Sequence, residues 1–399
     1  MGLTLDAPGD SATLAVVGGE IQANGAACTT PALLPERATT RNTEVVAIRD
    51  TSGGAVDVRI ADPAAFAPGL GNEDDGSPEI EFDADLGAGP GDVLRIEAAG
   101  ADAPDRFELG SLGGVPAANL NARAENRNSE DADLGFAGVE RLVGDGRALD
   151  DKLDAAGTAP FGGPLPLGVE LFGADGADTL GGGTEADLLH GGAGEDVLAG
   201  GEGRDVLLGE GEEDVLGGGP GPDRLDGGDD DDLADYRVLP EGARRGVTAD
   251  LAGGSVGGAG AGDRLVSVEG FLGSPLPDVV TGSAALNFIE GGGGADRLDG
   301  GAESDALFGS AGNDRLVGGG ARDVLLGGPG PDTVRGQLGK DIVVGGAGND
   351  DIETEKGVDV VDVSGGGADV VDCGPGRDGF DADRGDRLRA CEVRLEIGG

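Results

Sequence analysis

From Gly173 onward, large aliphatic residues return at every ninth position of the chain. In the first run they are Leu180, Leu189, Leu198, Leu207, Leu216 and Leu225, with Ala234 closing the series. Two residues before each stands an aspartate: Asp178, Asp187, Asp196, Asp205, Asp214, Asp223 and Asp232. A second run opens at Gly273 and holds its phase to about Asp362. There the aliphatic place is taken by Val280, Ile289, Leu298, Leu307, Leu316, Leu325, Val334, Val343, Ile352 and Val361. Its polar place carries Asp278, Asn287, Asp296, Asp305, Asp314, Asp323, Asp332, Asp341, Asp350 and Asp359. Glycine dominates the start of each unit. The pattern predicts a tight glycine turn followed by a very short strand, whose middle, aliphatic side chain points to one face while its neighbours point to the other.

Residues 1–170 read differently. "EVVAIRD", "AVDVRIAD", "IEFDADLG" and "DVLRIEAAG" alternate apolar and polar positions between Gly, Asp and Pro turns, which predicts strands. Weak echoes of the unit occur at Asp92/Leu94, Asp105/Phe107 and Asp151/Leu153. We expect a degenerate β-solenoid here, running into the regular one and capping its N-terminal end; a separate β-sandwich is the alternative. The chain then divides into a first array (171–235), a connector (236–272), a second array (273–362) and a C-terminal cap (363–399). In the connector the period breaks, but the alternation of Leu265, Val266, Val268 and Phe271 favours continuation of the coil over a surface loop. After Asp362 the phase slips by one residue, and Asp369 and Asp378 stay nine apart.

Composition narrows the choice of partner. Among 399 residues are 84 glycines, 77 acidic and 28 basic residues, for a formal charge of -49. With aromatics at 3% and no Trp, a large aromatic core is excluded. Such numbers alone would suggest disorder or a flexible acidic linker, but a linker has no reason to keep an aliphatic residue at every ninth place. The surface repels nucleic acid and anionic membranes, so neither nucleic-acid binding nor membrane insertion is expected, and the natural partner is a cation. No apolar run approaches the roughly 20 residues of a membrane span. "MGLTLDAPGD" lacks the basic-then-apolar pattern of a secretory signal, so export would use another signal or the N-terminus is incomplete.

The units "GGAGEDVLA" from Gly191, "GGEGRDVLL" from Gly200, "GGGGADRLD" from Gly291 and "GGAGNDDIE" from Gly345 resemble the glycine-rich nonapeptide G-G-x-G-x-D-x-U-x of the RTX (haemolysin-type calcium-binding) repeat family. The resemblance implies an all-β fold, a parallel β-roll or β-solenoid in which two nonapeptides make one coil. Turns 18 residues apart then stack, making Asp178 a neighbour of Asp196 and Asp296 of Asp314. Carboxylates so stacked repel unless a cation lies between them. Calcium fits best: it accepts many oxygen ligands in loose geometry, whereas magnesium wants a stricter octahedron and zinc wants His or Cys.

The expected ligands are the aspartates of both runs, with backbone carbonyls of the turns: Gly191, Gly192 and Gly194; Gly200, Gly201 and Gly203; Gly291, Gly292 and Gly294; Gly345, Gly346 and Gly348. Glycine's tolerance of positive φ lets these carbonyls approach an ion. Glu185, Glu212, Ala285, Glu303 and Ala321 replace the fourth-place glycine, each expected to strain its turn by about 1 kcal/mol. With Asn287 also replacing a carboxylate, the weakest ion sites are expected around 209–217 and 282–290.

The tail resembles the terminal cap of secreted actinobacterial calcium-binding repeat proteins. Cys373 and Cys391 bracket its last turns and could close a disulfide, which would imply an oxidising compartment; two buried free thiols are the alternative. Cys28 is left without a role.

Catalysis is not expected. H-E-x-x-H needs two histidines and the chain has His190 alone, which reads as a surface residue at the end of a strand; no G-x-S-x-G elbow accompanies it. Two functions remain: a secreted, extracellular module that folds or rigidifies when calcium reaches about 10⁻⁴ to 10⁻³ M, or a structural or adhesive cell-surface or matrix component, with a surface or self-association partner, whose rigidity calcium sets.

Overall fold

The structure, a computed structural model, describes residues 164–395 continuously, residues 141–146 and 151–156, and strands between Gly2 and Ala137. Asp92, Asp105 and Cys28 lie outside the described residues. Every regular element described is a strand. The chain forms two compact units, Met1–Asp214 and Val215–Gly399.

In the first unit, strands stack in parallel columns. Ser11–Val17, Asp57–Ala61, Val93–Glu97, Arg141–Asp145, Val169–Asp175, Leu188–Ala193 and Val206–Gly211 pair one after another, all parallel. A second column takes Gly2–Leu5, Val45–Asp50, Glu81–Asp85 and Leu134–Ala137. The third takes Arg106–Leu112, Lys152–Asp154, Thr179–Gly181 and Val197–Ala199. Parallel neighbours need a crossover between them, which is what a coil supplies. In the regular part Leu171 faces Leu189, Leu189 faces Leu207 and Leu180 faces Leu198, the 18-residue step of two nonapeptides. Upstream the steps are longer and unequal, with Val58 against Leu94, Leu94 against Leu142 and Leu142 against Val169. Antiparallel hairpins such as Ser11–Val17 with Glu20–Ala23 extend this part.

The second unit repeats the scheme with two parallel columns. One runs Leu233–Asp235, Gly270–Leu272, Phe288–Glu290, Ala306–Phe308, Val324–Pro329, Ile342–Ala347, Val360–Val363, Gly379–Ala382 and Val393–Arg394. The other runs Val247–Asp250, Val279–Thr281, Arg297–Gly301, Arg315–Gly319, Thr333–Gly339, Asp351–Glu353, Val370–Asp372 and Arg387–Arg389. The connector continues the coil: Leu225 faces Leu265 and Ala234 faces Phe271, while the hairpin of Val247–Asp250 with Ser255–Gly258 absorbs the extra chain. Past Asp362 the step lengthens to 19 residues, and the inserted residue is taken up in a turn, so strand register survives the slip.

Alternation decides what is inside. Within most of the three-residue strands only the middle residue is buried, as in Val197–Ala199 and Asp351–Glu353, while all of Gly270–Leu272 is buried. Leu189, Leu207, Leu307, Leu325 and Val343 are fully buried, each contributing about 1.5–3 kcal/mol of apolar burial. The core is a single file of aliphatic side chains per strand, closed at either end of each strand by a glycine turn.

Candidate metal-binding turns

The aspartate of each unit is buried at the end of its turn, where the strand begins. Asp196, Asp305, Asp323, Asp341 and Asp350 are all at most 2% exposed. Each carboxylate reaches back one coil. Its Oδ1 accepts the main-chain N–H of the aspartate 18 residues earlier: Asp178 donates to Asp196 at 2.7 Å, Asp187 to Asp205 at 2.9 Å and Asp196 to Asp214 at 2.8 Å. In the second unit the ladder runs from Asp278 to Asp296, on through Asp314 and Asp332 to Asp350 at 2.8–2.9 Å, and from Asn287 to Asp305, Asp323, Asp341 and Asp359 at 2.9–3.1 Å. Stacked neighbours are thus joined N–H to carboxylate. The sequence suggested carboxylates facing one another; the backbone donor between them removes half of that repulsion problem and leaves the other half on Oδ2.

The second oxygen divides the turns into two kinds. At Asp196, Asp296, Asp305, Asp314, Asp323, Asp332, Asp341, Asp350, Asp369 and Asp378 it is buried and finds no hydrogen-bond partner among the described residues. The second residue of these turns is left-handed, for example Gly192 at φ 120°, Gly301 at 120°, Ser310 at 66° and Gln337 at 72°. At Asp187, Asp278 and Asn287 the second residue (Gly183, Ser274, Ser283) stays out of the left-handed region. Its N–H then donates into the turn, to Asp187 Oδ2 at 2.6 Å, Asp278 Oδ2 at 2.7 Å and Asn287 Oδ1 at 2.6 Å. These three turns cap themselves; the left-handed ones are open.

An unpaired buried carboxylate oxygen is costly. Burial pushes the carboxyls of Asp196, Asp296 and Asp332 up to about 7 and those of Asp187, Asp305, Asp323 and Asp341 up to about 6, against the lowering effect of the N–H donors. Asp314, Asp350, Asp369 and Asp378 are raised for the same reason. Each open turn therefore calls for a proton or a cation.

Backbone oxygens crowd the same glycines as the orphaned atom. A Cβ on Gly327 would sit 2.6 Å from Asp332 Oδ2 and 2.5 Å from the carbonyl oxygen of Gly345, one coil on. Glycine is obligatory there because two oxygens crowd its Cα. Gly328, at φ 104°, lies so close to the Ser310 carbonyl that a Cβ would overlap it. Among the expected carbonyls, those of Gly191 and Gly291 likewise face the first glycine of the preceding coil, Gly173 and Gly273. Gly292 O accepts the N–H of Ala311 at 3.0 Å and Gly348 O that of Gly367, each keeping a second lone pair. Among the described residues no three His, Cys, Asp or Glu side chains converge on one point. The donors at an open turn are one carboxylate oxygen and main-chain carbonyls, hard oxygens of the kind calcium accepts.

Strain falls on other turns than expected, with Ala174, Glu210, Asp230, Ser310, Gln337 and Glu355 also left-handed. Glu212 and Ala321 are left-handed at φ 72° and 68°, but Glu185, Ala285 and Glu303 are not. Asn287 is fully satisfied: its Nδ2 donates to the Glu269 carbonyl at 2.7 Å.

Several ladder members escaped the nonapeptide register. Asp263 accepts from Asp223 across 40 residues at 3.0 Å, and its Oδ2 takes the Tyr236 hydroxyl at 2.9 Å, with Tyr236 stacked on Phe271. Glu269 accepts from Asp232, Asp386 from Asp369 and Glu392 from Asp378. The signal for two of them was present: Asp263-Arg264-Leu265 and Asp386-Arg387-Leu388 copy Asp223-Arg224-Leu225. Asp151 donates its N–H to Asp178 Oδ1 at 2.6 Å, extending the ladder upstream of the first array. His190 is only 21% exposed; its Nδ1 lies 2.9 Å from Glu210 Oε1 and its ring stacks on Phe172 at 4.5 Å. Cys373 and Cys391 are joined as a disulfide, with Cys373 buried.

The family model described as RTX calcium-binding nonapeptide repeat (4 copies) matches residues 172–207, 208–235, 272–307, 302–334 and 326–361. No curated protein matches the chain. The ladder aspartates of both arrays fall inside those matches, and Asp263, Asp369 and Asp378 fall outside them. With the parallel coils, the 18-residue step and the buried aspartate at each turn, the two arrays, residues 172–235 and 272–361, are RTX calcium-binding nonapeptide repeats.

Proposed function

We propose that the protein is an extracellular calcium-binding module whose open turns take up several calcium ions, and that the ions fold or rigidify the solenoid. The observation that carries this reading is the buried Oδ2 of Asp196, Asp296, Asp305, Asp314, Asp323, Asp332, Asp341 and Asp350, left without a donor among the described residues. An ion there supplies what the carboxylate lacks and neutralises part of a formal charge of -49. The aspartates of both arrays, apart from the self-capped Asp187 and Asp278, hold the ions together with turn carbonyls such as Gly345 O. The role proposed is binding and structural, and His190 is engaged by Glu210 and Phe172. Among the described residues no helix is long and apolar enough to cross a membrane.

Far-UV circular dichroism of chelator-treated protein during a calcium titration, with magnesium as control, tests the reading. We expect a cooperative gain of β signal with calcium and little with magnesium. A spectrum fully β in chelator and unmoved by calcium would make the ion an accessory.

A structural or adhesive role is supported by one further observation. The outer face of one column of the second unit carries Phe288 and Phe308, their rings tilted against each other with centroids 5.2 Å apart, beside Leu326 and Val344. Calcium-dependent self-association in sedimentation velocity is the result that would favour it.

A further inference from the structure

We infer that calcium occupies the turns of this chain selectively: the self-capped turns of Asp278 and Asn287 and the Tyr236–Asp263 contact hold their structure with no ion, while the open turns from Asp296 to Asp378 depend on one. This rests on the calcium reading above and sharpens it, turn by turn.

The hydrogen bonds argue it. In the turn of Asp278, Oδ1 accepts from Val247 N–H and the Ser274 hydroxyl, and Oδ2 accepts from Ser274 N–H. Asn287 Oδ1 is held by Ser283 N–H, and its Nδ2 by the Glu269 carbonyl and Ser283 Oγ. At Asp263 a tyrosine hydroxyl occupies the oxygen that elsewhere has no donor. At each of these an oxygen that a cation would satisfy already has a donor, so the turn is held without one. Asp187, with donors on both oxygens, is a third self-capped turn in the other unit.

Within the second unit the sorting is contiguous from residue 236 onward. Residues 236–290 contain the ion-free contacts, and from Asp296 to Asp350 every aspartate of the ladder has the orphaned Oδ2. Asp369 and Asp378 keep it too, in turns beyond the family match, so two ion sites belong to the C-terminal cap. The 236–290 segment is thus a preformed start, ordered without calcium, onto which ion-dependent coils add one after another.

Hydrogen exchange read by mass spectrometry on the full chain tests this, in chelator and in calcium. Amides of 264–290 should be protected in both conditions. Amides of 315–372 should gain at least about tenfold protection on adding calcium. Equal gains in both segments overturn the selectivity while leaving calcium binding intact; no gain anywhere overturns the calcium reading itself. Tyr236 gives an independent readout because it is the chain's one tyrosine and Trp is absent. Its emission should resist acrylamide quenching in chelator as well as in calcium, and quenching that appears only in chelator argues against a preformed start. Calcium counted by native mass spectrometry then separates the sites. Asp278→Asn should leave the count unchanged, and Asp332→Asn and Asp378→Asn should each lower it by one. Loss of an ion from Asp278→Asn, or none from Asp378→Asn, refutes the assignment.

Discussion

The main-chain N–H of Asp314 donates to Oδ1 of Asp332 at 2.8 Å, one full coil along the solenoid, while Oδ2 of Asp332, with no donor among the described residues, crowds the Cα of Gly327 together with the carbonyl oxygen of Gly345. One side chain therefore does two things: it ties neighbouring coils together, and it carries a buried negative oxygen that only a proton or a cation satisfies.

Substitution at Asp332 should split those roles. Asp332→Asn keeps an acceptor for the Asp314 N–H but removes the charge. We expect its melting temperature to exceed that of the parent in chelator and to fall below it in saturating calcium. Asp332→Ala removes the acceptor as well, leaving a buried N–H unpaired at a cost of about 1–3 kcal/mol in either condition. Denaturant titration of the three proteins with and without calcium measures both effects, and identical shifts in the two conditions would contradict the dual role.

Stability in chelator should depend on pH with a definite sign. Asp196, Asp296 and Asp332 have carboxyls pushed up to about 7 by burial, above the roughly 3.9 of an unfolded aspartate. A raised carboxyl favours the fold while protonated, so its contribution is complete below about pH 4 and is lost as pH climbs through the folded value near 7. Melting temperatures in chelator should therefore fall from pH 5 towards neutrality and beyond, by roughly the shift expected for several linked groups. Calcium binds the ionised form, so calcium affinity should rise over the same interval. A flat profile in chelator would show that these carboxylates are hydrated.

Turn backbone can be probed at two positions of opposite sign. Ala321 is left-handed at φ 68°, and Ala321→Gly should stabilise by about 1 kcal/mol. Gly328→Ala should destabilise by more than that, since its Cβ would meet the Ser310 carbonyl as well as an unfavourable φ. Glu303→Gly serves as the contrast: Glu303 is not left-handed, so relief of strain is not expected there. Chemical denaturation in calcium ranks all three.

Reduction of the Cys373–Cys391 disulfide, which closes a separation of 18 residues, should cost about 3 kcal/mol. The loss should appear first as faster hydrogen exchange at Val370–Asp372 and Val393–Arg394, whose strands it flanks, with the central coils changing little.

The nine-residue period determined a great deal by itself. Because only the middle residue of a three-residue strand points inward, Leu189 and Leu307 had to be core, and because the period held, Asp196 and Asp314 had to recur at the start of each strand. Those are local facts of chain geometry, legible in any order of reading. What only the folded coils decided is which aspartates are satisfied. Gly183 declines the left-handed conformation that glycine permits, whereas Ser310 and Gln337 adopt it against their own preference. With that choice goes the donor: the N–H of Gly183 reaches Asp187, and Oδ2 of Asp314 and Asp341 has none among the described residues. Likewise Asp263, brought to Asp223 across 40 residues by an inserted hairpin, joins the ladder and meets Tyr236 only because parallel pairing aligns Leu225 with Leu265. A period along the chain states where a side chain stands in its own coil; its partners come from the coils above and below, and hydrogen bonds between coils are settled in three dimensions.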